Sequence, residues 1–316
     1  MKRFIGVDVS KDSLDVYVRP DELRRRLDNT PDGIAELVNF LRPLTPERIV
    51  MESTGPYQKP VIGALLAEGL PAVVVNARQV RDFAKALGTL VKTDAVDAAV
   101  IAHFAEVIPT TVRPLPSKDL QEIRALYDRR LQLVHMLAAE KNRRHAAAHG
   151  SPKVLRNIDK VIAFLKQQIR DFEERMDRIV ASSEAFQTQN VLLQSITGIG
   201  PQVSRTLIAY LPELGQRSRQ SITALVGLAP FNNDSGQHSG ERHIRGGRAK
   251  VRIGLYQAAV AAIRYSPPMR DFFAALKARG KATKVALVAV ARKILVLANA
   301  LLRDNTPYKN PANSVC

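Results

Sequence analysis

Between Leu90 and Ala102 the chain reads LVKTDAVDAAVIA, which sets two carboxylates three residues apart in an otherwise apolar helical segment. Positions i and i+3 of an α-helix share a face, so Asp94 and Asp97 point the same way while Val91, Val96, Val100 and Ile101 are committed to packing. Like charges side by side are unfavourable unless a cation lies between them. Two further acids close apolar runs of strand type upstream, Asp8 in FIGVDVS and Glu52 in RIVMES. Acids are poor strand residues and are rarely buried unpaired. Together the four predict an oxygen-rich pocket for Mg²⁺, a hard cation that takes carboxylates and keeps waters for a phosphate substrate. Singly, each has a plainer role: Asp94 as a helix cap with Asp97 in the first turn, Asp8 as a turn acid in DVSKDS. Their order, and the elements between them, favour the joint reading.

Around these acids, residues 3–106 alternate strands with helices. RFIGVDVS and SLDVYVRP read as a hairpin turning at Lys11 and Asp12, and LRRRLDN adds a short third strand. Asn29 and Thr30 precede a helix over PDGIAELVNFLRP, with Ile34, Leu37, Val38 and Leu41 on one stripe. RIVMES, PVIGALLAEGL and PAVVVNA follow as strand, helix and strand, and the Asp94 helix closes the unit. Such alternation implies a sheet covered by helices. The order β-β-β-α-β-α-β-α, with acids on the first and fourth strands and the last helix, resembles a ribonuclease-H-like domain of the RuvC-like branch.

Net charge directs attention to the other end of the chain. The formal charge is +17 with a pI near 10.2, and residues 201–316 hold 18 basic side chains against 5 acidic ones. An excess this lopsided makes nucleic acid a better partner than a membrane. No amphipathic basic helix stands apart, and no apolar run is expected to reach the ~18 residues of a span. Cys316 is the only cysteine, which excludes a disulfide framework and a thiolate zinc site and suits a reducing cytoplasm.

VIPTTVRPLPSKD carries three prolines and reads as a linker. Helical patterns then run over Leu120–Ala148 and Val154–Ser182, broken by HGSP, and predict a long antiparallel helical hairpin and a candidate oligomerisation arm. The divisions expected are 1–108, 109–188 and 189–316. The third region opens on SITGIGPQVSRTLIAYL, where Gly198 and Gly200 between helical runs look like a helix-hairpin-helix whose turn offers backbone N–H groups to a DNA phosphate. A GxG turn is also a plain packing device. In GLAPFNNDSGQHSGERHIRGGRAKVR, turn formers Asn232, Asn233, Asp234 and Gly236 predict an exposed loop with Ser235 near its tip. Arg242, Arg245, Arg248 and Arg252 follow, suited to phosphate oxygens and to charge building on a reacting phosphate. Gly246 and Gly247 permit close backbone approach. Ser235 is a candidate nucleophile and Ser239 its rival; residue types alone fit a loop in which Ser235 only donates a hydrogen bond. Two tail helices around Gly280 carry Lys281 and Lys284, phosphate contacts or solvated charges.

IGVDVSKDSLDV, VMESTGPY, VKTDAVDAAVIA, SITGIGPQVS, GLAPFNNDSGQHSGERHIRGGRAKVR and GKATKVALVAVARKIL resemble, in order, the motifs of insertion-sequence transposases with a DEDD nuclease-like domain and a serine-bearing C-terminal transposase domain. NDSG followed by RHIRGGR places the likeness in the eleven-eleven subgroup of the one-hundred-and-ten family. The resemblance implies that Asp8, Glu52, Asp94 and Asp97 are an acidic tetrad for a pair of Mg²⁺ ions, and that Ser235 attacks a DNA phosphate and is covalently joined to the strand. It further implies donor and target DNA as substrates, an element-encoded guide RNA (bridge or seeker RNA), and a homo-oligomer, dimer or tetramer, with a site shared between subunits. The implied compartment is the bacterial cytoplasm with its nucleoid. The chain departs from the family pattern at Val91 and in its short third strand. Two rival functions stand beside this one, a metal nuclease or junction resolvase in which water attacks, and a non-catalytic nucleic-acid-binding protein.

Overall fold

The computed structural model describes residues 1–53, 55–88, 94–112, 115–148, 150–231, 234–235, 238–239 and 242–308. Val91 and Thr93, and Asn232, Asn233 and Gly236 of the serine loop, lie outside them, while Asp94 and Ser235 are placed by helix and strand position. The chain forms two compact units, Met1–Pro116 and Ser117–Cys316.

In the first unit five strands, β1 (Phe4–Val9), β2 (Ser13–Arg19), β3 (Leu23–Asp28), β4 (Arg48–Glu52) and β5 (Ala72–Val75), form one sheet in the order β3-β2-β1-β4-β5. The first three are antiparallel neighbours, and β1, β4 and β5 run parallel. Strict alternation divides the side chains. Ile5, Val7, Val9, Ile49 and Met51 bury one face under α1 (Pro31–Leu41) and α2 (Gln58–Ala67). Thr30 caps α1 through the Gly33 N–H.

The other face, with Val50 and Val75, packs against α3 (Ala77–Ala86) and α4 (Asp94–Val107) through Val80, Val100, Ile101 and Phe104. Helix α3 does not figure in the sequence reading. It buries Val80 and half-buries Phe83 and Ala84, an i, i+3, i+4 stripe of ordinary helical spacing, and Asn76 caps it through the Arg78 N–H.

The second unit is helical: α5 (Lys118–Ala146), α6 (Pro152–Ser182), α7 (Glu184–Gln194), α8 (Pro201–Tyr210), α9 (Arg219–Val226), α10 (Ala249–Tyr265), α11 (Pro267–Ala278) and α12 (Thr283–Asp304), with a short hairpin of β6 (Asp234–Ser235) and β7 (His238–Ser239). Helices α5 and α6 form the expected pair, closed by Leu133, Leu165 and Ile169. The hairpin belongs to this unit instead of standing apart: Ile123, Val180 and Ala209 share one cluster, and the buried Arg205 pairs with Asp177. Helix α12 corrects one expectation. By length and composition it is apolar enough to cross a membrane, with a window of mean hydropathy 2.1, because only Arg292, Lys293 and Asn299 interrupt the run from Val285 to Leu302. It is the core helix of this unit, and Leu287, Val290, Ile294, Leu295 and Ala298 bury among α7, α9, α10 and α11.

Candidate active site

Strand register brings two of the four acids together. Val7 lies beside Met51 in the parallel ladder, so Asp8 and Glu52, the next residues, stand level on the face that carries Gly6 and Val50. Both are partly buried, as is Asp97. Helix α4 lies on this face. Gly6 sits directly under Ala98 and Ala102, and Tyr17, paired with Gly6, packs against the same two alanines.

The helix direction follows from its other end. Glu106 pairs with Arg19 at 2.8 Å, and the carbonyls of Ala105 and Ile108 accept from Arg48. Arg19 and Arg48 both flank Phe4, at the start of β1. The start of α4, with Asp94 one turn before Ala98 and Asp97 adjacent to it, therefore lies toward the strand ends that carry Asp8 and Glu52. Asp8, Glu52 and Asp97 each have further interactions within the fold. Among the described residues no group of three His, Cys, Asp or Glu side chains is drawn together as a ready coordination shell. The donor set on this face is all carboxylate, which suits a hard divalent cation.

One acid beside this set escapes the sequence reading. Asp15 is the register partner of Asp8 and therefore shares its face. Its side chain is 14% exposed, and it faces Arg26 at 3.7 Å. A turn at Lys11 and Asp12 already implies this pairing, since 8 and 15 are equidistant from it.

In the second unit Ser235 stands on a short hairpin, as the last residue of β6. Ser235 pairs with His238 and Asp234 with Ser239. The neck is closed by Phe231 and His243, with the Phe231 N–H donating to the His243 carbonyl at 3.0 Å. The arginines downstream divide by role. Arg248 forks onto both oxygens of Glu213 at 2.5 and 2.6 Å and donates to the Tyr210 carbonyl. Arg252 donates to the carbonyls of Val226 and Gly246. Gly247 is pressed against the backbone of Val226 and Gly227, and both Gly227 and Gly247 have positive φ. The close approach these glycines permit is thus to the end of α9. Arg242 and Arg245 remain exposed, Arg245 with its guanidinium 5.1 Å from the Phe231 ring centre.

A polar network braces this loop from below. Tyr210 donates to Asp128, which also pairs with Lys250. Burial, then the hydrogen bond to Asp128, pushes the Tyr210 phenol far above its usual range. Burial and the nearby Arg248 lower Arg124.

At the α7–α8 turn Gly198 has φ +104 and fits against the Ala258 carbonyl and Ala262 of α10. The packing role is thus filled. Gly200 precedes α8 with open space around its α-carbon. Lys281 and Lys284 are exposed at the α11–α12 turn.

An acid-faced α/β unit followed by a basic helical unit that carries a serine hairpin suits an enzyme acting on a polyanion. Residues 5–150 match a DEDD transposase domain, a class that points to divalent-metal dependence, and residues 190–274 match the transposase domain of the IS116/IS110/IS902 family. The chain belongs to this family of insertion-element transposases, and its activity is that of a DNA recombinase. It is 24% identical over 319 residues to a "Pilin gene-inverting protein" of Moraxella lacunata, covering 97% of this chain and 98% of that one. It is 25% identical over 303 residues to an "Insertion element IS116 uncharacterized 44.8 kDa protein" of Streptomyces clavuligerus, covering 93% and 71%.

Proposed function

We propose that the protein is an RNA-guided DNA recombinase that cuts and rejoins strands through a covalent phosphoserine at Ser235. The observation that carries this reading is the level placement of Asp8 and Glu52 beneath the Asp94–Asp97 end of α4. The strand order supports a ribonuclease-H-like, RuvC-like fold for residues 1–108, in which Asp8, Glu52, Asp94 and Asp97 hold a pair of Mg²⁺ ions. Bound there, the metal would neutralise the acids and polarise the scissile phosphate. The Ser235 oxygen bonds to phosphorus and one bridging P–O bond breaks; the serine proton is lost to solvent and the departing oxygen takes a proton from water, leaving as a strand-end hydroxyl. Because the phosphoserine ester conserves the bond energy, attack by another strand end rejoins the DNA without ATP.

The exposed Arg242 and Arg245 complement the charge on the reacting phosphate, while Arg248 and Arg252 hold their loop. Gly198 and Gly200 in a helix-hairpin-helix turn, with Lys281 and Lys284, bind flanking backbone. Guide RNA is supported by the resemblance in motif order together with the basic excess of residues 201–316. Met136, Val154 and Phe164, exposed along α5 and α6, support a homo-oligomer built on that hairpin, with tetrad and serine drawn from different subunits. The enzyme acts on DNA in the bacterial cytoplasm.

The test is strand exchange between element-end and target DNA with guide RNA and Mg²⁺. Asp94→Ala and Ser235→Ala are each inactive, and a mixture of the two recovers exchange. Cleavage retained by Ser235→Ala supports a water-using nuclease instead, and exchange undiminished without RNA removes the guide.

A further inference from the structure

The acids lie in a row that does not stop at Asp8. Level pairing carries it across the sheet, from Glu52 on β4 to Asp8 on β1, Asp15 on β2 and Arg26 on β3. One step back along the strands runs a second row, Val50, Gly6, Tyr17 and Arg24. β3 is the outer strand and carries Arg24, Arg25 and Arg26 in succession.

Alternation sends these three arginines to different faces. Arg25 goes to the α1 side, where it pairs with Glu36 at 2.9 Å and lies over Phe40. Arg24 and Arg26 go to the side of the acids. Arg24 stacks over Tyr17, its guanidinium 5.2 Å from the ring centre. Arg26 leans on Asp15 and donates to the Ser13 hydroxyl at 3.2 Å, yet its side chain remains 65% exposed. Asp15 is thus a partly buried strut beneath an outward-facing guanidinium, and stacking holds Arg24 by its face with its N–H edge free to point outward.

A row of carboxylates repels a polyanion on approach, so a strand delivered to it needs cations at its margin. Arginine suits that task because its fork matches phosphate oxygens and its face can stack at the same time. Adjacent strands are about 4.8 Å apart, so Arg26 stands roughly 10 Å from Asp8 along the row. At about 3.4 Å of rise per nucleotide that distance spans about three phosphates.

We propose that Arg24 and Arg26 bind phosphates of the DNA strand being cut, within about three nucleotides of the scissile bond, with Asp15 positioning Arg26. This rests on the reading of the same face as the site of DNA cleavage. The arrangement supplies its own control, since Arg25 has the same charge on the same strand but the opposite face.

The experiment uses the full-length protein with guide RNA, a divalent ion and element-end DNA in which single neutral methylphosphonate linkages are stepped along the cut strand. Arg26→Ala and Arg26→Gln should each slow cleavage at least tenfold, and Arg25→Ala should leave it within twofold. One neutral linkage within three nucleotides of the cut should slow wild type by a similar factor and slow Arg26→Gln no further. Asp15→Asn should raise the KM for DNA in wild type and add nothing to Arg26→Gln, the non-additivity of two residues serving one contact. Equal losses from Arg25→Ala and Arg26→Ala would reduce the effect to bulk charge and overturn the proposal. So would independent losses from the variant and every linkage, or a fall in RNA binding with DNA cleavage unchanged. If wild type with guide RNA fails to cut unmodified DNA under any divalent ion, the reading of the face as a cleavage site fails, separately from the assignment of Arg24 and Arg26.

Discussion

A methyl group on Gly6 would stand 2.2 Å from the carbonyl oxygen of Ala98, so α4 meets β1 backbone to backbone. Neither Ala98 nor the adjacent Ala102 can yield by turning a side chain. Gly6→Ala must therefore lift the helix, at a cost of about 1–3 kcal/mol by analogy with overpacked cores. The unfolded-state gain of about 0.4–1 kcal/mol from losing a glycine does not offset it. The expected result is a lower Tm, with strand cleavage falling further than the folded fraction because α4 carries Asp94 and Asp97. Unchanged cleavage in Gly6→Ala would separate α4 from the site.

Arginines of one basic block should fail in different ways. Arg248→Ala removes a fork from Glu213, whose side chain is only 13% exposed, and should cost about 1–3 kcal/mol of stability for the stranded carboxylate. Arg248→Ala combined with Glu213→Gln should recover part of that. Arg242→Ala and Arg245→Ala should leave Tm within a degree or two and lower cleavage by at least tenfold. Thermal melts and single-turnover cleavage on the same preparations separate the two groups.

Stability above neutral pH should depend on Tyr210. Its folded value is raised by burial and by the hydrogen bond to Asp128, so the folded state favours the protonated phenol. The stabilisation is complete below the ordinary tyrosine value of about 10 and declines as pH rises beyond it toward the raised folded value. Tyr210→Phe should cost about 1–2 kcal/mol at pH 7 through the lost hydrogen bonds, and its deficit relative to wild type should shrink above pH 10. Chemical denaturation at pH 7, 9 and 10.5 measures this directly, and a constant gap would contradict it.

Divalent ions should stabilise the first unit through its carboxylates. An ion at 100 times its Kd adds about 2.7 kcal/mol to a protein that binds it only when folded. Mg²⁺ or Mn²⁺ should therefore raise the Tm of wild type and leave Asp8→Asn or Asp97→Asn unmoved, while chelation should abolish cleavage. An equal rise in Asp8→Asn would place the ion elsewhere.

Much of the first unit is legible because its periods are clean. Ile5, Val7 and Val9 alternate with Gly6 and Asp8, and the turn at Lys11 and Asp12 fixes the register. That turn also predicts the Asp8–Asp15 pairing, but Asp15 in SLDVYV reads as the polar half of an ordinary alternation. Helix α3 is legible too, since Val80, Phe83 and Ala84 make a stripe behind the Asn76 cap, but it is short and lies in the connection that leads into the Asp94 helix. The arginine block illustrates a different limit. Arg248 and Arg242 are the same residue type six positions apart in one basic segment, and only the fold, by bringing Glu213 and the Tyr210 carbonyl to Arg248, makes one a brace and leaves the other exposed. In the same way RGGR offers close backbone approach without saying to what, and the nearest backbone is that of Gly227.

The central claim is that Ser235 becomes joined to DNA. Full-length protein incubated with end-labelled element-end DNA, guide RNA and Mg²⁺, then denatured and resolved by electrophoresis, should yield a labelled protein–DNA species. That species should be absent from Ser235→Ala and from Asp8→Asn and undiminished in Ser239→Ala. An adduct of equal yield in Ser235→Ala, or cleaved DNA with no adduct in wild type, would contradict the account.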